Sequence, residues 1–191
     1  MQGNQRLLFF IEVAMLAALA FLLDLLSSVV GRFWPQGGSI SLAMIPIFII
    51  AFRRGVKGGL LAGLLLGLLQ AVLGNPYILH PIQGFLDYYL AFTVVGISGI
   101  FFKQLQRSLV ERKRTATIMY ITLGTLLGCA LRLFVHVIAG VYFFASSAPE
   151  GTPVWLFSIG YNVSYMIPTF IVAAIVVCFL LLTAPRLVTR K

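Results

Sequence analysis

Five ionisable residues fall inside long apolar runs of this chain: Glu12, Asp24, Asp87, Arg132 and His136. Hydrocarbon burial of a charge must be compensated, so each is a functional candidate. Glu12 and Asp24 lie near the two ends of the first run. Simply reaching the interface accounts for Glu12, while Asp24 stays open between that reading and a ligand role. Asp87 has Trp34, Tyr77, Tyr88, Phe144, Trp155 and Phe157 as prospective neighbours. A carboxylate combined with electron-rich ring faces suits a flat organic cation. Two blander readings stand beside it: an interfacial aromatic belt, favoured for Trp155, and an ion pair between Asp87 and Arg132.

Hydrolytic chemistry is disfavoured. Gly96-Ile97-Ser98-Gly99 resembles the nucleophile signature of rhomboid intramembrane proteases, with His136 as nominal base. Ser98 lies just before Lys103, near one end of its span, and His136 is near the opposite face. A hydrogen bond of about 3 Å between them is hard to make. Neither a zinc-protease helix motif nor a phosphate-binding loop is present, so any ATP used for transport is hydrolysed by another polypeptide. No catalytic residue, metal site or cofactor is expected.

The elements that must position these groups follow from composition. Of 191 residues, 60% are hydrophobic and only 10% charged. That is too little charge to cover a soluble domain, so the bilayer is the solvent and helices are the natural spanning element. The predicted fold is an all-α integral membrane protein, one domain over 1–191, with six transmembrane helices at about 7–27, 39–52, 58–75, 82–102, 116–141 and 156–183. The span over 39–52 is short, and a tilted or re-entrant path is expected there. The net charge of +9 does not indicate nucleic acid, because the basic residues sit in short clusters between spans. These clusters are Arg6; Arg53, Arg54 and Lys57; Lys103, Arg107, Arg112, Lys113 and Arg114; and Arg186, Arg190 and Lys191. Six spans put them all on one side, which the positive-inside rule makes cytoplasmic together with both termini. The polar segment 103–115 is expected to be a solvated loop.

Depth then groups the candidates. Asp87 and Tyr88 lie about 8 Å below the outer end of their span, His136 stands roughly 30 Å up from the inner end of its own, and Tyr161 and Asn162 fall in the outer third of the last. Trp34 and Tyr77 belong to outer loops. Polar and aromatic groups from distant parts of the chain thus converge beneath the outer surface, as a small-molecule pocket requires. Gly55, Gly59, Gly63 and Gly67 make a groove along one helix face, and Ala14 and Ala18 make a similar pair on the first helix. Gly124, Gly128, Arg132, His136 and Gly140 form a stripe that should face the interior.

Four ordered stretches resemble the thiamine-specific S components of energy-coupling factor (ECF) transporters. They are Pro35-Gln36-Gly37-Gly38-Ser39-Ile40-Ser41-Leu42-Ala43-Met44-Ile45-Pro46; Tyr77-Ile78-Leu79-His80-Pro81-Ile82-Gln83 with Leu86-Asp87-Tyr88; His136-Val137-Ile138-Ala139-Gly140; and Tyr161-Asn162-Val163-Ser164-Tyr165-Met166-Ile167-Pro168. The resemblance covers almost the whole chain. It implies a six-helix thiamine-binding subunit of the prokaryotic plasma membrane, served by a transmembrane coupling subunit and two cytoplasmic ATPases. It implies ligand contacts at Trp34, Tyr77, Asp87, Tyr88, His136 and Asn162, a loop 28–38 that closes over the ligand, and a coupling-subunit contact at Ala14 and Ala18. The family pattern has Trp and Tyr where this chain has Phe144 and Phe157. Both keep a stacking face and enclose the rings, but Phe157 lacks the phenolic hydrogen bond and Phe144 is a weaker cation–π partner. These departures leave room for a related pyrimidine or thiazole ligand, or another vitamin. A stand-alone secondary transporter is a further alternative.

Overall fold

The computed structural model describes residues 2–30, 34, 38–74 and 76–189. Among the described residues there is no strand, and five helices are long and apolar enough to cross a membrane. They are α1 (Gln2–Val30), α2 (Met44–Leu73), α3 (Pro81–Val110), α4 (Arg114–Phe143) and α5 (Val154–Thr183). At 1.5 Å per residue α1, α3, α4 and α5 are each about 45 Å long, more than the hydrocarbon thickness of about 30 Å, whereas α2 is broken into two shorter arms. Large apolar side chains such as Leu7, Leu22, Phe134 and Phe179 are exposed. Lipid is as apolar as these side chains and accepts them without cost. The chain is a multi-pass membrane protein.

The expected spans over 39–52 and 58–75 emerge as two arms of α2, and residues 39–43 stay outside the helix. The arms meet at Gly55, whose backbone is at φ 72° and ψ −169°. That left-handed position favours glycine, and a Cβ there would also stand 3.2 Å from the Phe102 ring. A helix break orphans the carbonyls just before it. Gln106 of α3 catches two of them, its Nε2 donating to Phe52 O at 3.1 Å and Arg53 O at 3.2 Å. The same amide reaches Val188 O at 2.9 Å and so ties down the C-terminal segment.

The glycine groove is the contact between the second arm of α2 and α3. A Cβ on Gly59 would lie 2.6 Å from Gly96 Cα, on Gly63 2.2 Å from Phe92 O, and on Gly67 2.6 Å from Tyr88 O. Rising numbers on one helix meet falling numbers on the other, so the pair is antiparallel. The first arm is wholly buried from Met44 to Phe52. It lays Phe48 and Phe52, stacked at 6.3 Å, over Gly128 and Gly124 of α4.

Two expectations are corrected at the basic end. The segment 103–115 is mostly helix: α3 runs to Val110 with Leu105 and Leu109 buried, leaving a turn of Glu111, Arg112 and Lys113. Its apolar positions pack against the bundle while its charges face out, as an amphipathic helix end does. In the turn, Arg107 and Lys113 hold the Glu111 carboxyl down at about 2. Glu12 does not merely reach the interface. It accepts from Arg53 Nε at 2.8 Å, Arg53 Nη2 at 2.8 Å and Arg54 Nε at 2.5 Å, binding α1 to the first arm of α2. Arg190 and Lys191 of the last basic cluster lie outside the described residues.

Candidate functional site

At the end of the bundle opposite Glu12, all five helices contribute to a cavity of about 290 Å³. This is near the lower edge of the range of about 300–1,000 Å³ for small-molecule sites. The sequence-predicted residues Tyr77, Asp87, Tyr88, His136, Phe144, Phe157 and Asn162 all line it. Trp34 does not. It is half-buried behind the wall, its ring edge-on to Tyr165 at 6.0 Å and its Nε1 donating to Ser164 Oγ at 2.8 Å. The expected closing loop 28–38 falls largely on 31–33 and 35–37, which lie outside the described residues. Trp155 is exposed and off the wall.

Asp87 is placed by an irregular helix start. His80 caps α3, its Nδ1 accepting from Ile82 N at 3.2 Å, and Pro81 opens the first turn. Residues Phe85–Leu90 then form a π turn carrying Asp87 and Tyr88. Such single turns are frequent at functional sites. Gln83, 1% exposed, organises the region. Its Nε2 donates to Asp87 Oδ2 at 2.6 Å and to Tyr77 O at 3.2 Å, and its Oε1 accepts from Leu79 N at 2.9 Å. Tyr88 Oη accepts from Tyr77 N at 2.7 Å. One buried amide and one phenol therefore fix both the carboxylate and the loop above it, where Tyr77 stacks on Phe144 with centroids 6.3 Å apart.

The sequence left a direct Asp87–Arg132 ion pair open. The structure inserts His136 between them. Arg132 Nε donates to His136 Nε2 at 3.1 Å, and His136 Nδ1 lies 2.8 Å from Asp87 Oδ1. Arginine can only donate, so Nε2 must be an acceptor; the imidazole is neutral with its proton on Nδ1, facing the carboxylate. Arg132 is buried, its guanidinium 4.0 Å above the Phe92 ring centroid. The spacing of Arg132 and His136 one helical turn apart on α4 is what makes this chain of donors possible.

Across the cavity, α5 supplies Asn162. Its Nδ2 donates to Ser158 O at 2.8 Å, and its Oδ1 accepts from the Tyr165 hydroxyl. Ser158 Oγ donates to Val137 O at 3.0 Å, pinning α5 to α4. Gly140 allows that approach, since a Cβ there would be 2.2 Å from Ser158 Oγ. Ser98 is buried, without a hydrogen-bond partner, and off the cavity wall that holds His136.

Sequence reasoning missed Gln70, Gln83, Ser158 and Tyr165 as wall residues and left Asp24 open. Neutral amides and hydroxyls barely change hydropathy. A usable signal existed for Gln83, which sits one turn before Asp87 and so shares its face.

A family model for thiamine transporter protein (Thia_YuaJ) matches residues 10–189. Thiamine transporter ThiT of Bacillus subtilis (strain 168) is 46% identical over 189 residues, 98% of this chain and 97% of the relative. Its counterpart in Lacticaseibacillus paracasei is 32% identical over 194 residues, covering 100% and 95% of the two chains. A solved structure of ThiT from Listeria monocytogenes superposes with a TM-score of 0.88 at 38% identity, covering 96% of this chain and 98% of that one. These relatives are transport proteins rather than enzymes, and this chain belongs to the thiamine transporter family.

Proposed function

We propose that this protein captures extracellular thiamine in the cavity and passes it inward as the S component of an ECF importer. Thiamine joins an aminopyrimidine to a cationic thiazolium, and the reading rests on one observation. An acid, an imidazole and an amide, from α3, α4 and α5, face a common chamber walled by Tyr77, Tyr88, Phe144 and Phe157. Asp87 accepts from the ligand's amino group, because a carboxylate already bonded by His136 and Gln83 keeps unused lone pairs. Asn162 adds a directional hydrogen bond, His136, with both ring nitrogens engaged, offers its ring face, and the aromatic rings enclose the heterocycles.

The basic clusters lie at the opposite end, so the positive-inside rule turns the cavity outward and both termini inward. Ala14 and Ala18 are both exposed on α1, while Val13 and Ala17 face the bundle. A shallow small-residue face of this kind suits the coupling subunit, with two ATPases supplying the energy.

Equilibrium titration of purified protein tests the ligand assignment. Thiamine binds the native chain tightly, and Asp87→Asn and His136→Ala each lower affinity by about tenfold to a thousandfold, as expected for truncating one member of a buried charged network. Unchanged affinity in both variants removes them from the site. Uptake by vesicles holding this chain without partner subunits or ATP would replace the importer reading with a secondary transporter.

A further inference from the structure

Among the described residues, the charges on the cavity wall do not cancel. Apart from tyrosines, its titratable members among those residues are Asp24, Asp87, Arg132 and His136. His136 is neutral, because its Nε2 accepts from Arg132. Two carboxylates therefore share one guanidinium, leaving one surplus negative charge. Asp87 has a donor on each oxygen, from His136 and Gln83, and His136 links it to Arg132. Asp24 is half-buried on α1 and has no such direct link: Arg132 acts on it only at longer range, and among the described residues no cation lies within ion-pair distance of it.

A second, independent observation marks the same spot. Gln70 of α2 also lines the cavity, is 5% exposed, and donates from Nε2 to Asp24 Oδ2 at 2.6 Å. Its Oε1 is buried and has no hydrogen-bond partner. A buried carbonyl left without a donor is costly, and sites of this kind are completed by a ligand. The α1–α2 side of the cavity thus holds a carboxylate without a direct ion pair beside an unmatched acceptor. The α3–α4 side holds a carboxylate with a donor already on each oxygen.

We propose that Asp24, held in place by Gln70, is the counter-charge for the cationic ring of the ligand and sets the site's preference for an organic monocation over a neutral molecule of the same shape. The hydroxyl at the end of the cationic ring's side chain brings the donor that Gln70 Oε1 lacks. This inference rests on the thiamine reading and divides its labour: Asp87, His136 and Asn162 take the aminopyrimidine, and Asp24 with Gln70 takes the thiazolium.

The test uses thiamine and a neutral isostere in which a thiophene replaces the thiazolium. Both are titrated into the purified full chain as native protein, Asp24→Asn and Asp24→Glu. Asp24→Asn should weaken thiamine by about tenfold or more, because a partly desolvated charge pair is lost, and should leave the isostere within about twofold. Retained isostere binding also shows that the variant is folded. Asp24→Glu should recover most of the thiamine affinity. An Asp24→Asn variant whose thiamine-to-isostere affinity ratio equals the native ratio, through equal losses or through none, overturns the proposal while leaving the thiamine reading intact. Native protein that binds neither compound overturns both.

Discussion

Arg132 supports His136 and, through it, Asp87, and it gives the sharpest test of how the proposed site is organised. Arg132→Gln removes a charge-assisted hydrogen bond to His136 Nε2 at 3.1 Å and a guanidinium 4.0 Å above the Phe92 ring. The first contributes about 1.5–3 kcal/mol, and the second about 2 kcal/mol in a desolvated setting. The ring contact exists with or without ligand, so its loss should lower thermal stability rather than affinity. The hydrogen bond fixes the His136 tautomer and the Nδ1–H that steadies Asp87. Its loss frees the imidazole to rotate or to take up a second proton. Thiamine affinity should fall about 10- to 150-fold, the equivalent of that one bond. Arg132→Lys should fall between, since an ammonium restores charge but lacks the planar fork. Titration calorimetry reads the affinity, and nitrogen NMR of ring-labelled histidine reads the tautomer, which in native protein should be Nδ1–H. A native His136 protonated on Nε2, or an Arg132→Gln variant that binds within about twofold of native, refutes the reasoning.

Other outcomes follow from the packing. Gly63→Leu should lower folded yield and melting temperature sharply, because even a Cβ would meet Phe92 O at 2.2 Å, whereas Gly160→Ala, with open space around it, should be neutral or stabilising by up to about 1 kcal/mol. Glu12→Gln leaves Arg53 and Arg54 without their counter-charge on α1 and should cost about 2–3 kcal/mol in unfolding assays, with thiamine affinity unchanged, since Glu12 lies roughly 18 Å from Asp24 along α1. Phe144→Trp offers a cationic ring a stronger π face and should tighten thiamine binding by about 0.5–1 kcal/mol in a direct titration.

The axial coordinate of each candidate was legible in the sequence, and the angular one was only partly so. A rise of about 1.5 Å per residue placed Asp87, His136 and Asn162 at one depth, and the structure puts all three around one cavity. The four-residue spacing of Gly59, Gly63 and Gly67 likewise announced a close contact, which proved to be with α3. What spacing cannot give is which way a loop side chain turns. Trp34, expected among the ligand contacts, packs edge-on to Tyr165 and is not on the cavity wall. The π turn at Phe85–Leu90 was also invisible, because no residue type or spacing in that stretch marks it. The continuation of α3 to Val110 was hidden by its basic residues, which read as loop although Leu105 and Leu109 pack inward. Gln70 and Gln83 escaped for a related reason: an amide buried in an apolar run perturbs hydropathy too little to be noticed, yet these two orient both cavity carboxylates.

A thiamine-bound structure of the full chain is the most direct measurement. It should show the two heterocycles inside the cavity, the aminopyrimidine against Asp87, His136 and Asn162. Thiamine seated elsewhere on the bundle, or a ligand whose rings make no contact with those three side chains, would contradict the account.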